Sequence, residues 1–179
     1  MPTIGADPTD RKAEPRSDAT RYAVFQVSGE TYAMALADVR EVLPWVQLSR
    51  PPGMPSLLAG FLNLGGQAVA VLRLDALFGL PEMTPELFSP IILLREGDPP
   101  LALLARKLAG IATARSGDVS PIPTEASFNA CATGTVSLAL QTVVLLSGRS
   151  IVSEKERRCL IELQALEQAR LNGLRMVEP

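Results

Sequence analysis

Between Gly60 and Asp75 the chain reads Gly-Phe-Leu-Asn-Leu-Gly-Gly-Gln-Ala-Val-Ala-Val-Leu-Arg-Leu-Asp. Two short apolar runs flank Gly65-Gly66, which is the pattern of a β-hairpin: strand, tight turn, strand. Glycine reaches positive φ without steric cost, as such a turn requires. Side chains alternate along a strand, so Gln67, Val69, Val71 and Arg73 face one way and Ala68, Ala70, Leu72 and Leu74 the other. One face is wholly apolar and the other begins and ends polar. The stretch therefore predicts one wall of a small β-sheet domain.

The rest of the chain carries the same signature. Residues 22–27 and 31–36 read as strands around a Ser28-Gly29-Glu30 turn, and 90–95, 101–105, 108–114, 128–139 and 142–146 as further strands. Residues 116–127 read as a loop. Asp38 can cap a short helix over 39–43 that Pro44 ends, with Val39, Val42 and Leu43 on one face and Arg40 and Glu41 off it. Residues 44–58, with Pro44, Pro51, Pro52 and Pro55, form an irregular connection, in which Trp45 reads as an exposed contact or as a lid on the core. One helical turn follows the hairpin from Asp75 and stops at Gly79. Nine or so short strands spaced by turns suit paired small β-barrels.

The two ends differ from this middle. Residues 1–20 mix Pro2, Pro8 and Pro15 with charged side chains, too little apolar surface to offset backbone ordering, and read as a flexible tail. Ser153 and Glu156 form a capping box that opens a long helix to about Met176. On that helix Leu160, Leu163, Leu166, Leu171 and Leu174 share an arc of roughly 140°, interrupted by Glu167 and Arg170, with Ile161 off it. The reading is of an imperfectly amphipathic helix whose first half packs on the domain and whose last two turns stand free.

Composition removes whole classes of function. The chain has no histidine, which excludes Ser-His and Cys-His catalysis, His-ligated metals and histidine phosphotransfer on this chain. Its two cysteines, Cys131 and Cys159, lack metal-site or disulfide-framework spacing and read as small core residues in a reduced cytoplasmic setting. With a net charge of −2 and no basic patch interleaved with aromatics, nucleic acid is not an expected partner. The stretch between Arg50 and Arg73 is uncharged, but prolines, glycines and alternation break it, so it is not read as a membrane span. No apolar secretory segment opens the chain. A small hydrolase or transferase on a β-barrel would have only Ser-Lys or paired-carboxylate chemistry to draw on.

The text of the hairpin resembles the central motif of the CheW family of chemotaxis coupling proteins, which runs roughly Gly-x-x-Asn-Leu-Arg-Gly, then a strand, then a Pro-x-x-Asp-Leu-Arg-like close. Gly60, Asn63, Leu64, Gly66 and Leu74 fall in step with it. Gly65 stands where the family has arginine, Ala70 where it has proline and Arg73 where it has aspartate, so the chain resembles a divergent member. Val39-Arg40-Glu41-Val42 is similar to the family's Val-x-Glu-Val/Ile segment. The resemblance implies a mainly β fold of two intertwined SH3-like five-stranded barrels with a short internal helix and a long C-terminal helix. It divides the chain into a tail over 1–20, a CheW-like domain over 21–152, and a helix over 153–179 packed on it.

The function it implies is a non-enzymatic scaffold with no cofactor, coupling chemoreceptor cytoplasmic tips to the regulatory domain of a CheA-type histidine kinase. Such a scaffold is cytoplasmic, at receptor arrays beneath the inner membrane and without inserting into it. By this resemblance Val39, Glu41 and Val42 bind receptor, while Gly60, Asn63, Leu64, Gly65 and Gly66 form a kinase-binding or other interface. The alternative is a CheW-like binding module serving another partner or pathway (pili, a second messenger), with one coupling interface lost.

Overall fold

The computed structural model describes residues 19–123, 130–138 and 141–175. The expected tail lies outside these residues except for Ala19 and Thr20, which open the first strand. The ends of the strand expected over 128–139, the last part of the 116–127 loop, and the chain beyond Arg175 also lie outside them.

The first hairpin joins β1 (Ala19–Val27) to β2 (Glu30–Ala35) through Ser28 and Gly29, both at positive φ (48° and 90°), as a two-residue hairpin turn demands. The chain then leaves this sheet and builds a second one: β3 (Val39–Leu43), β4 (Leu58–Leu64), β5 (Gln67–Arg73), β6 (Ile91–Leu94) and β7 (Leu101–Leu104), in the order β3-β6-β7-β5-β4. It returns with β8 (Lys107–Arg115), β9 (Val119–Pro121), β10 (Ala132–Leu138) and β11 (Gln141–Leu146), giving a first sheet ordered β8-β1-β2-β11-β10-β9. The fold is thus mainly β, with one sheet inserted within the sequence of the other. The first sheet carries six strands because β9 forms where a loop was expected.

Both sheets curl toward closure. In the five-stranded sheet, the chain leaving β3 crosses to the far edge, where Ser49 and Phe61 exchange two backbone hydrogen bonds of 2.9 and 2.8 Å. In the six-stranded sheet, β8 packs near β10. Alternation then sorts the apolar residues into separate cores. On β5, Val69 and Val71 fill the five-stranded barrel with Leu62, Leu93 and Leu104, while Ala70 and Leu72 face a core shared by both sheets. On β1, Tyr22 and Val24 fill the six-stranded barrel, while Ala23, Phe25 and Val27 meet the same shared core. A strand apolar on both faces is therefore required at each junction.

The short internal helix is α1 (Leu74–Phe78), stopped by Gly79 in the left-handed conformation at φ 64°. The helix expected over 39–43 is instead β3, paired antiparallel with β6. A β-bulge at Arg40 accounts for the misleading pattern. The extra residue puts Val39 against the shared core and Leu43 against the five-stranded barrel, on opposite faces, where plain alternation would give them one face. An i, i+3, i+4 spacing inside five residues then imitates a helix.

The terminal helix α2 (Glu154–Arg175) opens with the expected capping box: Ser153 N–H and Oγ bond Glu156 Oε2 at 2.7 and 2.8 Å. Its packed face is not the leucine arc. Leu160 is buried and Leu163 half-buried, but Leu166 and Leu174 are 70% and 56% exposed. The buried line runs Leu160, Gln164, Glu167. The reason lies in β5, which pairs with β7 only from Ala70 onward, leaving earlier backbone groups without a strand on that side. Gln168 supplies the missing partners, its Oε1 accepting from Ala68 N–H and its Nε2 donating to the Gly66 carbonyl, both at 2.8 Å. Gln164 Nε2 donates to the Ala68 carbonyl at 2.8 Å. Two glutamines thus take the place of a strand edge, since buried backbone groups must be paired. Glu167 and Arg170, read as interruptions, form a doubly bonded pair at 2.6 and 2.9 Å, and Arg170 also donates to Ser49 Oγ at 3.0 Å. The Arg170 guanidinium holds the Glu167 carboxyl below the usual carboxylate range against the opposing effect of burial. Cys131 is buried as expected, and burial pushes its thiol up; Cys159 is exposed on α2, contrary to its reading as a core residue.

Candidate protein-interaction site

The residues singled out for binding occupy β3 and β4, the two end strands of the five-stranded sheet, and the turn that follows β4. On β3 the roles separate. Val39 is 6% exposed and belongs to the shared core, whereas Arg40, Glu41 and Val42 follow it exposed in a row. The bulge turns Val42 to the same side as Val39, so this half-open valine stands at the rim of the core between the barrels. No ion pair among the described residues involves Glu41. Among the described residues the outer edge of β3 has no strand neighbour, because the sheet ends there. Arg95, from the end of β6, braces the approach to β3 by donating to the carbonyls of Ala37 and Val39, both at 2.9 Å.

On the hairpin, Gly60 and Leu64 are structural. Gly60 lies at φ 151° against the closing segment, and Leu64 packs toward the five-stranded barrel. Asn63 is exposed, and its Oδ1 accepts from Gly66 N–H at 2.7 Å, bracing the turn through Gly65 and Gly66 (φ 61° and 92°). The tip that a partner can reach is therefore Asn63 and Gly65, with Gly66 half-buried behind. A side chain at Gly65 meets open space but must adopt the left-handed backbone. Gly65→Arg is expected to cost about 1 kcal/mol, lowering the melting temperature by about 2–4 °C in a thermal scan.

At the other end of β5, Arg73 pairs with Asp75 two residues on, Nε–Oδ1 at 3.2 Å and Nη2–Oδ2 at 2.7 Å, and reaches Glu82 at 3.0 Å. Asp75 is fully buried and also accepts from Met83 N–H at 2.7 Å, so it ties the loop after α1 to the hairpin. The resemblance places Asp-Leu-Arg here; this chain reads Arg73-Leu74-Asp75, and the opposite order still makes a pair. Beside it, a cavity of about 300 Å³ is lined by Trp45, Arg50, Arg73, Glu82 and Met83. Trp45 is half-buried and packs on the interior of the five-stranded barrel, which makes it a lid.

Burial tends to raise the Asp75 carboxyl, but the Arg73 guanidinium and the N–H groups of Met83 and Ala76 outweigh it and hold it low. A carboxylate depressed in the folded state stabilises the fold above its unfolded value of about 3.9, and that contribution disappears as pH falls through the lower folded value. Urea unfolding is thus expected to show stability falling with acid below about pH 4, with a shallower fall in Asp75→Asn.

Sequence reasoning missed this Arg73–Asp75–Met83 tie and the Gln164–Gln168 seam. Both join residues whose proximity or backbone need appears only once the strands are assembled. Among the described residues, no group of three or more His, Cys, Asp or Glu can hold a metal, and no helix is long and apolar enough to cross a membrane.

Comparison with known proteins agrees with this fold. The family model described as the CheW-like domain matches residues 21–156. The chain is 24% identical over 135 residues to the chemotaxis protein CheW of Rhizobium meliloti, covering 74% of this chain and 87% of that one. To the chemotaxis protein CheW of Helicobacter pylori it is 22% identical over 118 residues, 66% of this chain and 72% of the relative. Among solved structures, the scaffolding protein TtCheW from Thermoanaerobacter tengcongensis superposes with a TM-score of 0.67 at 20% identity, covering 76% of this chain and 88% of that chain. The family match runs from β1 to the first turn of α2, and on that span this protein belongs to the CheW family.

Proposed function

We propose that the protein is a scaffold that couples chemoreceptor cytoplasmic tips to a CheA-type histidine kinase, at receptor arrays beneath the inner membrane. Family membership carries the non-enzymatic reading. Residues 21–152 form the binding unit in this reading, and α2 supports it. The observation that carries the receptor side is the open edge of β3, where Val42 stands exposed at the rim of the shared core and Glu41 stands exposed on the opposite face of the strand. An exposed apolar side chain next to an unpaired carboxylate on a rigid edge suits an amphipathic helix laid along it. Val39 belongs to this face as its support from beneath. The kinase side is the hairpin tip of Asn63, Gly65 and Gly66, held by Gly60 and Leu64. Two faces on one rigid body link the states of two partners through differential affinity, without chemistry on the scaffold.

The test is co-sedimentation with receptor signalling tips and with the kinase regulatory domain. Val42→Asp and Glu41→Arg are each expected to weaken receptor binding about tenfold or more, consistent with a central interface contact, while the melting temperature and kinase binding hold. Unchanged receptor binding in both variants overturns the assignment of β3. The glycine at position 65 favours a weaker contact at the hairpin tip than an arginine would make, because a guanidinium recognises carboxylates with two parallel bonds. Tighter kinase binding by Gly65→Arg is the matching result.

A further inference from the structure

The family match ends at residue 156, so all but the first turn of α2 lies beyond it, and the reading above gives the outer side of this helix no role. Leu166 is 70% exposed and Leu174 56% exposed, on a helix whose buried line is Leu160, Gln164 and Glu167. With successive residues about 100° apart, Cys159, Leu163, Leu166, Arg170 and Leu174 fall within an arc of about 80°, set to one side of that line. Single exposed leucines are ordinary, whereas an apolar row that continues into a cleft marks an interaction surface. This row does continue. Around the exposed Cys159 it meets a cleft of about 350 Å³ between the start of α2 and residues 55–57, lined by Pro55, Leu57, Lys155, Cys159 and Leu160.

The spacing along the helix identifies the occupant. Cys159, in the cleft, stands about 10 Å before Leu166 along the axis, and Leu174 about 12 Å after it. A two-fold axis through Leu166 lays a second α2 antiparallel on the first. It sets the two Leu166 side chains against each other and brings Leu174 of each copy over the cleft of the other. Gly173 of the second copy then falls opposite Cys159, and Ala169 of the second copy opposite Leu163, small against large. A Cβ added at Gly173 would meet nothing within 4 Å, so the helix surface there is open to a neighbouring helix. Charges complement as well, since the same axis sets Glu162 of each copy level with Arg170 of the other. Glu162 is exposed and has no ion pair or hydrogen bond among the described residues. Arg170 engages Glu167 and Ser49 through Nε and Nη2, which leaves Nη1 uncommitted. A knob, a hole and opposite charges placed evenly about one point make a self-complementary surface, the mark of an isologous dimer.

We infer that the outer side of α2 pairs with a second copy of this chain, antiparallel about Leu166, with Leu174 of each copy seated in the cleft of Pro55, Leu57 and Cys159 on the other. The pairing uses neither β3 nor the hairpin tip, so it stands or falls separately from the receptor and kinase contacts. Sedimentation velocity of the full chain over a dilution series is expected to show monomer passing to dimer as concentration rises. Leu166→Glu and Leu174→Ala are each expected to weaken dimerisation about tenfold or more, because the two-fold axis makes every substitution count twice. The melting temperature of dilute protein is expected to hold in both. In a Cys159→Ser background, Leu166→Cys is expected to form a disulfide dimer under glutathione disulfide, since the axis brings the two copies of that residue together. Ala165→Cys, roughly 100° round the helix from Leu166, is expected to stay monomeric in the same background. A monomer at every concentration, a dimer undiminished in Leu166→Glu and Leu174→Ala, or equal cross-linking at 165 and 166 overturns the inference.

Discussion

Gly60→Ala is expected to destabilise the fold by about 2–6 kcal/mol, the sum of a strained backbone and an overpacked contact. Gly60 sits at φ 151°, a conformation that residues with a Cβ rarely adopt. An added Cβ would lie 2.7 Å from Leu48 Cβ and 2.7 Å from the Ser49 carbonyl oxygen. The oxygen belongs to the backbone that accepts from Phe61 N–H and closes the five-stranded barrel, so it cannot yield as the end of a side chain would. A whole domain is stable by only about 5–15 kcal/mol, so the variant is expected to unfold at much lower urea than the parent. Gly65→Ala is the control: it shares a positive φ of 61° but meets no atom within 4 Å, and its cost is expected near 1 kcal/mol. Equal midpoints for the two variants would show that the closing segment at 48–49 can give way.

Val39→Asp is expected to unfold the protein, where a residue serving only a groove would lose binding alone. Val39 is 6% exposed in the core shared by the two sheets, among Phe25, Ile92 and Leu94. Removing its burial costs about 1.5–3 kcal/mol. A carboxyl set there without a partner adds about 1–3 kcal/mol even when it protonates to avoid carrying charge. Together these make a loss of about 2.5–6 kcal/mol. Val42→Asp, three residues on and 38% exposed, is expected to change stability by less than about 1 kcal/mol. Circular dichroism melts of the pair decide the matter. A folded Val39→Asp with parental melting would place Val39 on the surface and contradict the core packing.

The contrast between these two valines also marks the limit of reading the chain by pattern. The Gly60–Asp75 hairpin was legible because its signals are local. Two glycines at positive φ set the turn, and strict alternation over Gln67–Arg73 set the faces. The helical turn at Leu74–Phe78 with its Gly79 stop and the Ser153–Glu156 capping box were legible on the same grounds. Resemblance to the CheW family at Gly60, Asn63, Leu64, Gly66 and Leu74 carried the architecture, and the family match over 21–156 agrees with it. The segment 39–43 was not legible. Its pattern is that of a bulged strand, and a bulge exists only relative to a partner strand, here β6 some fifty residues away.

Local chemistry alone determined where this chain turns, which residues alternate and where its helices are capped, because each of those depends on neighbours a few residues apart. Tertiary structure decided which alternating face became barrel interior and which became shared core, since both faces of β1 and β5 are apolar and nothing local distinguishes them. It also decided which side of α2 is buried. Leucines would have favoured one side, but β7 stops short of the start of β5, and the backbone of Gly66 and Ala68 needed hydrogen-bond partners more than the domain needed another apolar seam. Glutamine met that need, and Leu166 was left in water.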